Sequence, residues 1–293
     1  AKNVIMMIPD GTSASVYSAA RWFKYYNGME HKLHIDPYLA GTVTTFSSNA
    51  PIGDSAPTGS AYATGVAQQV GNVGIHPEVS DNDLFPVDGS RTYQPAANIL
   101  EASKIEKNKA VGLVVTCEFP HATPADFSAH YYDRGKYKVI APQIAYQNPD
   151  VVFAGGNGIL TEEIKSHFKN NGTTLIQDDK NALLQYNGEG KVWALFEEKA
   201  PPYNIDRNPD KIPSLAEMTG KALEVLSKKP NGFFLMVEGS QVDWAAHAND
   251  AATMINEFLA FDEAVGKVME FAEKDGNTVV VIASDHGNSG FSI

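Results

Sequence analysis

Apolar positions along the chain follow two different periods. Short unbroken runs occur at residues 4–8 (VIMMI), 110–116 (AVGLVVT), 151–154, 173–176, 191–196 (KVWALF), 233–237 (FFLMV) and 278–283 (TVVVIA). Such runs predict strands covered on both faces. Between them, helical spacing predicts helices over residues 14–26, 95–107, 136–146, 161–170, 214–228 and 250–274. Ser214, with Glu217 three residues on, is a candidate capping box. Repeated strand, loop and helix predict an α/β fold: a mostly parallel, doubly wound central sheet with helices on both faces. Residues 72–91, rich in Gly, Pro, Asp and Asn, read as an excursion, and residues 199–213 as a Pro-rich connection. With no internal repeat, linker or low-complexity tract, residues 1–293 are expected to form one domain.

One stretch departs from both patterns. The apolar run 43–46 gives way to a polar loop, 47–53, and then to small residues with helical character, 55–64, ending at Gly65. Pro57 suits the first turn of a helix. Ser55 therefore lies at or beside a helix N-terminus, where free N–H groups and the positive dipole end favour an anion. A serine nucleophile or a bound phosphate fits there, and so does a plain N-cap at Asp54 or Ser55.

Composition narrows the partners. A net charge of −12 argues against a nucleic-acid or anionic-membrane partner, so an anionic substrate needs local positive groups or metals. The single Cys117 cannot form an intrachain disulfide and leaves the compartment open. No apolar run approaches the length that spans a bilayer. Residues 1–3 lead straight into the first strand, so a signal peptide is expected to have been removed already.

The polar candidates share a location. Asp10, the Ser55 loop, His121 with Thr123, Glu238 with Asp243 and His247, and Asp285 with His286 all follow apolar strand runs. In a doubly wound sheet those loops lie along one edge, so their side chains can converge. Asp and neutral His with a few further oxygens suit zinc and magnesium. Asp243 and His247, four apart, share a face if a helical turn forms there. Singly, each of these is as readily a turn or cap residue. Glu238 after FFLMV is the exception, because a carboxylate at a core strand's end needs a partner. Gly155 to Gly158 read as a tight βα turn rather than a phosphate-binding loop.

Residues 213–250, PSLAEMTGKALEVLSKKPNGFFLMVEGSQVDWAAHAND, closely resemble the alkaline phosphatases. IPDGTS at 8–13, DSAPTGSAYATG at 54–65, HATPADFSAH with Arg134, and SDHG at 284–287 fit the same family in the same order. The IPDGTS and DSAPTG forms are similar to a bacterial branch that includes cold-adapted enzymes. The resemblance implies hydrolysis of small phosphate monoesters through a phosphorylated Ser55, with two zinc ions and one magnesium as cofactors. Asp285, His286 and Asp10 would hold one zinc, and Asp243 and His247 the other. Glu238 and Thr123, with Asp10 bridging, would form the magnesium site. Arg134 would grip two phosphate oxygens, and Asp54, His121 and Trp244 would flank the substrate. A homodimer and a periplasmic or secreted location are further family expectations.

Departures from the family pattern sharpen these expectations. Family members can carry Asp at the place of His121 and Lys at the place of Trp244, so metal preference and phosphate release are expected to differ. The second zinc ordinarily takes a further His well after the DH pair, and that ligand is expected beyond Ile293. A sulfatase on the same scaffold needs Arg where Gly59 stands, and a phosphodiesterase tends to use Thr and to lack Arg134. A non-catalytic metal- or phosphate-binding relative is opposed by the retained Ser55 and Arg134.

Overall fold

The computed structural model describes residues 1–188 and 190–293. Seven strands form one sheet: β1 (Asn3–Pro9), β2 (Ala110–Glu118), β3 (Val151–Gly155), β4 (Thr174–Gln177), β5 (Val192–Phe196), β6 (Phe233–Gly239) and β7 (Thr278–Ile282). Their order is β4-β5-β3-β2-β6-β1-β7, and every pairing is parallel. Among the described residues ten α-helices accompany them: α1 (Ala14–Tyr26), α2 (Ser55–Thr64), α3 (Ile99–Lys107), α4 (Ala122–Asp126), α5 (Tyr137–Gln147), α6 (Glu162–Asn170), α7 (Lys180–Gln185), α8 (Leu215–Leu226), α9 (Gln241–His247) and α10 (Ala251–Asp275).

Period-two alternation along the buried strands builds two cores. Ile5, Met7, Val114, Phe153, Leu235 and Val237 pack on one face with Leu226 of α8 and Phe258 of α10. Ile8, Leu113, Val115, Trp193, Phe234 and Met236 pack on the other with Ala56 of α2, Ile144 of α5 and Phe168 of α6. Strands sandwiched this way need apolar residues at every position, which is why they read as unbroken runs. The expected doubly wound sheet is the one observed.

Local chemistry sets the helix ends. Asn98 and Glu101 form a reciprocal capping box at α3, so that helix starts at Ile99 rather than near Pro95. Ser214 and Glu217 do the same at α8. Thr161, Asp179 and Asp250 each cap a helix through a side-chain oxygen. Two short helices, α4 and α7, occur where no helical period is visible. The 43–46 run forms no strand, and Val43 is exposed. β7 lies at the sheet margin with Val279 and Val281 nearly half exposed.

Register places the functional edge. Ile8 is paired with Glu238 and Val115 with the same Glu238, so β2, β6 and β1 end side by side, with β7 next to β1. Four adjacent strands therefore open their carboxyl ends onto one patch.

Candidate metal and phosphate site

Ser55 is the first residue of α2, and its predecessor Asp54 makes no side-chain cap bond. Neither residue is a conventional cap. The Ser55 hydroxyl points instead into the sheet edge, 3.2 Å from Asp10 Oδ2, 3.3 Å from Asp10 Oδ1 and 3.4 Å from His286 Nε2. Asp10 directly follows β1, and Asp285 and His286 follow β7, the neighbouring strand. His286 Nε2 is 3.1 Å from Asp10 Oδ1, and 3.8 Å from both Asp243 Oδ1 and Asp285 Oδ2. His247, one turn after Asp243 on α9, reaches Asp243 Oδ2 at 3.5 Å from an exposed position. The i, i+4 spacing thus brings the two onto one face.

A second group lies deeper. Glu238, next to last in β6, is fully buried, and Thr123 is buried in α4. Cys117 Sγ sits 3.6 Å from Glu238 Oε2. His121 precedes α4, and its ring meets Trp244 edge-on at 5.5 Å. Arg134 joins the groups from the other side: Nη1 donates to Asp54 Oδ2 at 2.7 Å, and Nη2 lies 3.4 Å from His121 Nε2. Every residue expected at the site from the sequence is therefore found around one patch of the sheet edge.

Electrostatics show what this patch lacks. Burial, reinforced by Asp10, pushes Asp285 up to about 8, and burial pushes Glu238 up to about 7. Asp10 and Asp243 are raised as well, chiefly by burial and by neighbouring carboxylates. Burial works against charge on His286, but Asp285 and Asp10 outweigh it and lift the ring to about 11. Enclosure and the Arg134 charge pull His121 down to about 3, so its imidazole is neutral. Burial opposes the Asp54 charge, yet Arg134 overcomes it and holds that carboxyl below its ordinary value.

Thr123 Oγ1, Glu238 Oε1, Asp285 Oδ2 and His121 Nδ1 are buried with no partner at good hydrogen-bond geometry, although Thr123 lies close enough to Glu238, and Asp10 to Asp285, for each to act on the other's charge. An unmet buried acceptor costs about 1–3 kcal/mol, more when charged. Asp10, Asp243 and His286 offer ligand atoms all within 4.8 Å of one another. Divalent cations meet both needs at once, and the residues present fit them: Asp and His suit zinc, and an oxygen set of Glu, Thr and Asp suits magnesium.

Two contributors escaped sequence reasoning. Asn288 donates to Asp243 Oδ1 at 2.7 Å and to the Asp243 carbonyl at 3.0 Å, fixing that carboxylate. Its only signal is a polar residue soon after SDHG. Gly11 adopts φ +61°, and a Cβ there would stand 2.3 Å from Asp243 Oδ1. Gly11→Ala is expected to displace Asp243 and weaken divalent-metal binding at least about tenfold, the scale on which disturbing the groups that orient a metal ligand acts. Metal titration followed by calorimetry checks this, and unchanged affinity would show that Asp243 does not hold metal.

A buried serine, a carboxylate–histidine cluster and an arginine at the carboxyl edge of a parallel sheet together make the equipment of metal-assisted ester hydrolysis. The chain belongs to the alkaline phosphatase family: the family model described as "Alkaline phosphatase" matches residues 1–293. "Alkaline phosphatase 3" of Bacillus subtilis is 36% identical over all of this chain, which spans 62% of the length of that relative. The cold-active alkaline phosphatase of the psychrophile Shewanella sp. superposes with a TM-score of 0.86 at 30% identity, over 98% of this chain and 68% of that one. Alkaline phosphatase from the Antarctic bacterium TAB5 gives 0.86 and 30%, over 99% and 81%. A histidine-to-aspartate variant of the Antarctic enzyme has been solved with magnesium bound in its M3 site.

Proposed function

We propose that the whole protein hydrolyses small phosphate monoesters through a phosphoserine at Ser55. The observation that carries this reading is the Ser55 hydroxyl, placed at the N-terminus of α2 and within 3.4 Å of both Asp10 and His286. The free N–H groups of that helix end favour the phosphoryl anion. Ser55 oxygen attacks phosphorus in line, the ester oxygen leaves with the alcohol, and water then breaks the Ser55–phosphorus bond to release phosphate.

Arg134, aligned by Asp54, presents its remaining N–H groups to two phosphoryl oxygens, a task for a planar fork. We assign Asp10, Asp285 and His286 to one zinc, Asp243 and His247 to a second, and Glu238, Thr123 and Asp10 to magnesium. Magnesium in the histidine-to-aspartate variant of the Antarctic relative supports the third site. Bound ions would supply Lewis-acid neutralisation of phosphoryl charge and acidify water at the site. His121, neutral beside Thr123, brings less charge to that site than Asp would, and Trp244 covers its ring. Thus magnesium is expected to bind less tightly here than in Asp-bearing members.

No helix among the described residues is long and apolar enough to cross a membrane. The family resemblance supports a homodimer and a periplasmic or secreted home, and seven strands in one sheet support a single domain.

The test is turnover of a chromogenic phosphate monoester by the full-length protein at mildly alkaline pH, with zinc and magnesium supplied. Arg134→Lys is expected to lower kcat/KM at least about tenfold, because a point charge cannot replace the two-pronged contact. Preference for a diester or a sulfate ester over the monoester would overturn the reading.

A further inference from the structure

The segment that carries Arg134 is held by more than Asp54. Val73 and Tyr131 exchange both backbone hydrogen bonds, and the Arg134 N–H donates to the Gly71 carbonyl. The strap formed by residues 71–75 is fastened in turn to α2. Gly74 N–H donates to Ser60 Oγ at 2.8 Å, and Ser60 Oγ donates to the buried Asp126 Oδ1 at 2.7 Å. Arg134 and Ser55 are thus mechanically joined through the strap.

His130 sits at the joint. Its Nδ1 lies 2.6 Å from the Gly74 carbonyl oxygen and its Nε2 lies 3.0 Å from Glu101 Oε1. A carbonyl can only accept, and so can an ionised carboxylate. Glu101 behaves as ionised, accepting from the Asn98 N–H at 3.1 Å and from the Gln147 amide at 2.5 Å. Both ring nitrogens must therefore donate, which only the imidazolium form can do. Gln143 closes the backbone around it, accepting from the His130 N–H at 2.9 Å and donating to its carbonyl at 3.2 Å.

We propose that His130 is a positioning residue, a charged pin that ties the Arg134 segment to the strap and α3 and so holds the arginine against Asp54, next to Ser55. This rests on Arg134 being the phosphate clamp. The groups around the ring agree with its charge. The ring meets Glu101 from α3 and the Gly74 carbonyl from the strap; from α5, neutral Gln143 bonds the His130 backbone and neutral Gln147 shares its Glu101 partner. The nearby Lys104 ammonium is bonded to the Gln147 and Asn148 carbonyls. Burial alone pulls His130 down, and the Glu101 hydrogen bond, the Gly74 carbonyl and the Glu101 charge outweigh it and raise it.

The consequence is a working range tied to one ion pair. Below the His130 pKa the pin is intact. Above it one of two hydrogen bonds is lost, the strap loosens, and Arg134 no longer meets phosphate in its aligned pose. Glu101→Gln keeps the shape and the helix-cap role but removes the charge. It should lower the pH at which the pin fails.

The full-length, metal-loaded protein with carbon-13-labelled histidine decides the matter. In the parent, His130 is expected to titrate above the ordinary histidine range, and in Glu101→Gln it falls back to or below that range. The pH at which inorganic phosphate affinity drops falls with it. His130→Gln is expected to weaken phosphate binding about tenfold in the parent and hardly at all in an Arg134→Ala background, because the two residues act as one unit. A His130 that titrates in the ordinary range overturns the proposal, as does an equal loss of affinity in both backgrounds. A parent that binds phosphate yet turns over no monoester would defeat the phosphatase reading while leaving these readouts to judge His130.

Discussion

Ser55→Ala is expected to lower monoester turnover by about four orders of magnitude or more, the scale on which loss of a nucleophile acts. The hydroxyl has no structural duty to confuse the result. It caps no backbone group, and its contacts are Asp10 and His286 alone. Folding and metal content should therefore stay as in the parent, which metal analysis and a melting curve can confirm. Persistent turnover in a folded, metal-loaded variant would mean that water attacks phosphorus directly, and the phosphoserine route would be wrong.

Metal removal is the second large effect, and its sign depends on pH. Asp10, Asp243, Glu238 and Asp285 all have folded pKa values raised by burial, and His286 is raised to about 11 by its carboxylate neighbours against the pull of burial. Each group holds its proton more tightly in the folded chain than in the unfolded one. The stability this confers is complete below the unfolded pKa and is lost as pH rises through the folded value. For Asp10, Glu238 and Asp285 that window runs from about 4 to about 8, and for His286 from about 6.5 to about 11. Each extra bound proton contributes a slope of about 1.4 kcal/mol per pH unit. The chelated protein should thus lose stability steadily from about pH 5 to pH 9, by several degrees of Tm per unit. Cations replace those protons, so the metal-loaded protein should hold its Tm over the same range. Scanning calorimetry with and without chelator tests this, and Asp285→Asn should flatten the slope of the chelated form. A chelated Tm that climbs with pH would show that the carboxyls are not protonated in the folded state.

The legible parts of this molecule were those with one dominant cause. VIMMI and FFLMV could hardly be anything but central strands, because both faces of such strands are covered. Asp10, Glu238 and Asp285 were visible as strand-end carboxylates for the same reason. Their individual roles came from the family resemblance, since an Asp after a strand is equally a turn residue. Neighbour relations were hidden: nothing local in residues 3–9 says that they lie between residues 233–239 and 278–282. The residues of α4 read as a loop in sequence because Thr123 and Pro124 are poor helix formers, and its five residues follow a cap at His121 that makes no side-chain bond. Residues 43–46 looked core-like but are partly exposed, an apolar run without a partner strand among the described residues. Asn288 and His130 act through contacts 45 and 56 residues away, beyond the reach of any periodicity.

The strand order also sets a timetable. β2, β3, β4 and β5 come from one continuous stretch and sit together at one side of the sheet, so they can pair as they are made. β1 cannot. Its partners are residues 233–239 and 278–282, and at a synthesis rate of about 5–20 residues per second it waits roughly 10–50 s for the first of them. Through that interval a bare apolar strand trails a half-built sheet, exposed to mispairing and open to any factor that shields it. Asp10 is carried by that late strand, and Asp285 and His286 follow its last partner. The candidate site is therefore completed only when β6 and β7 have joined β1.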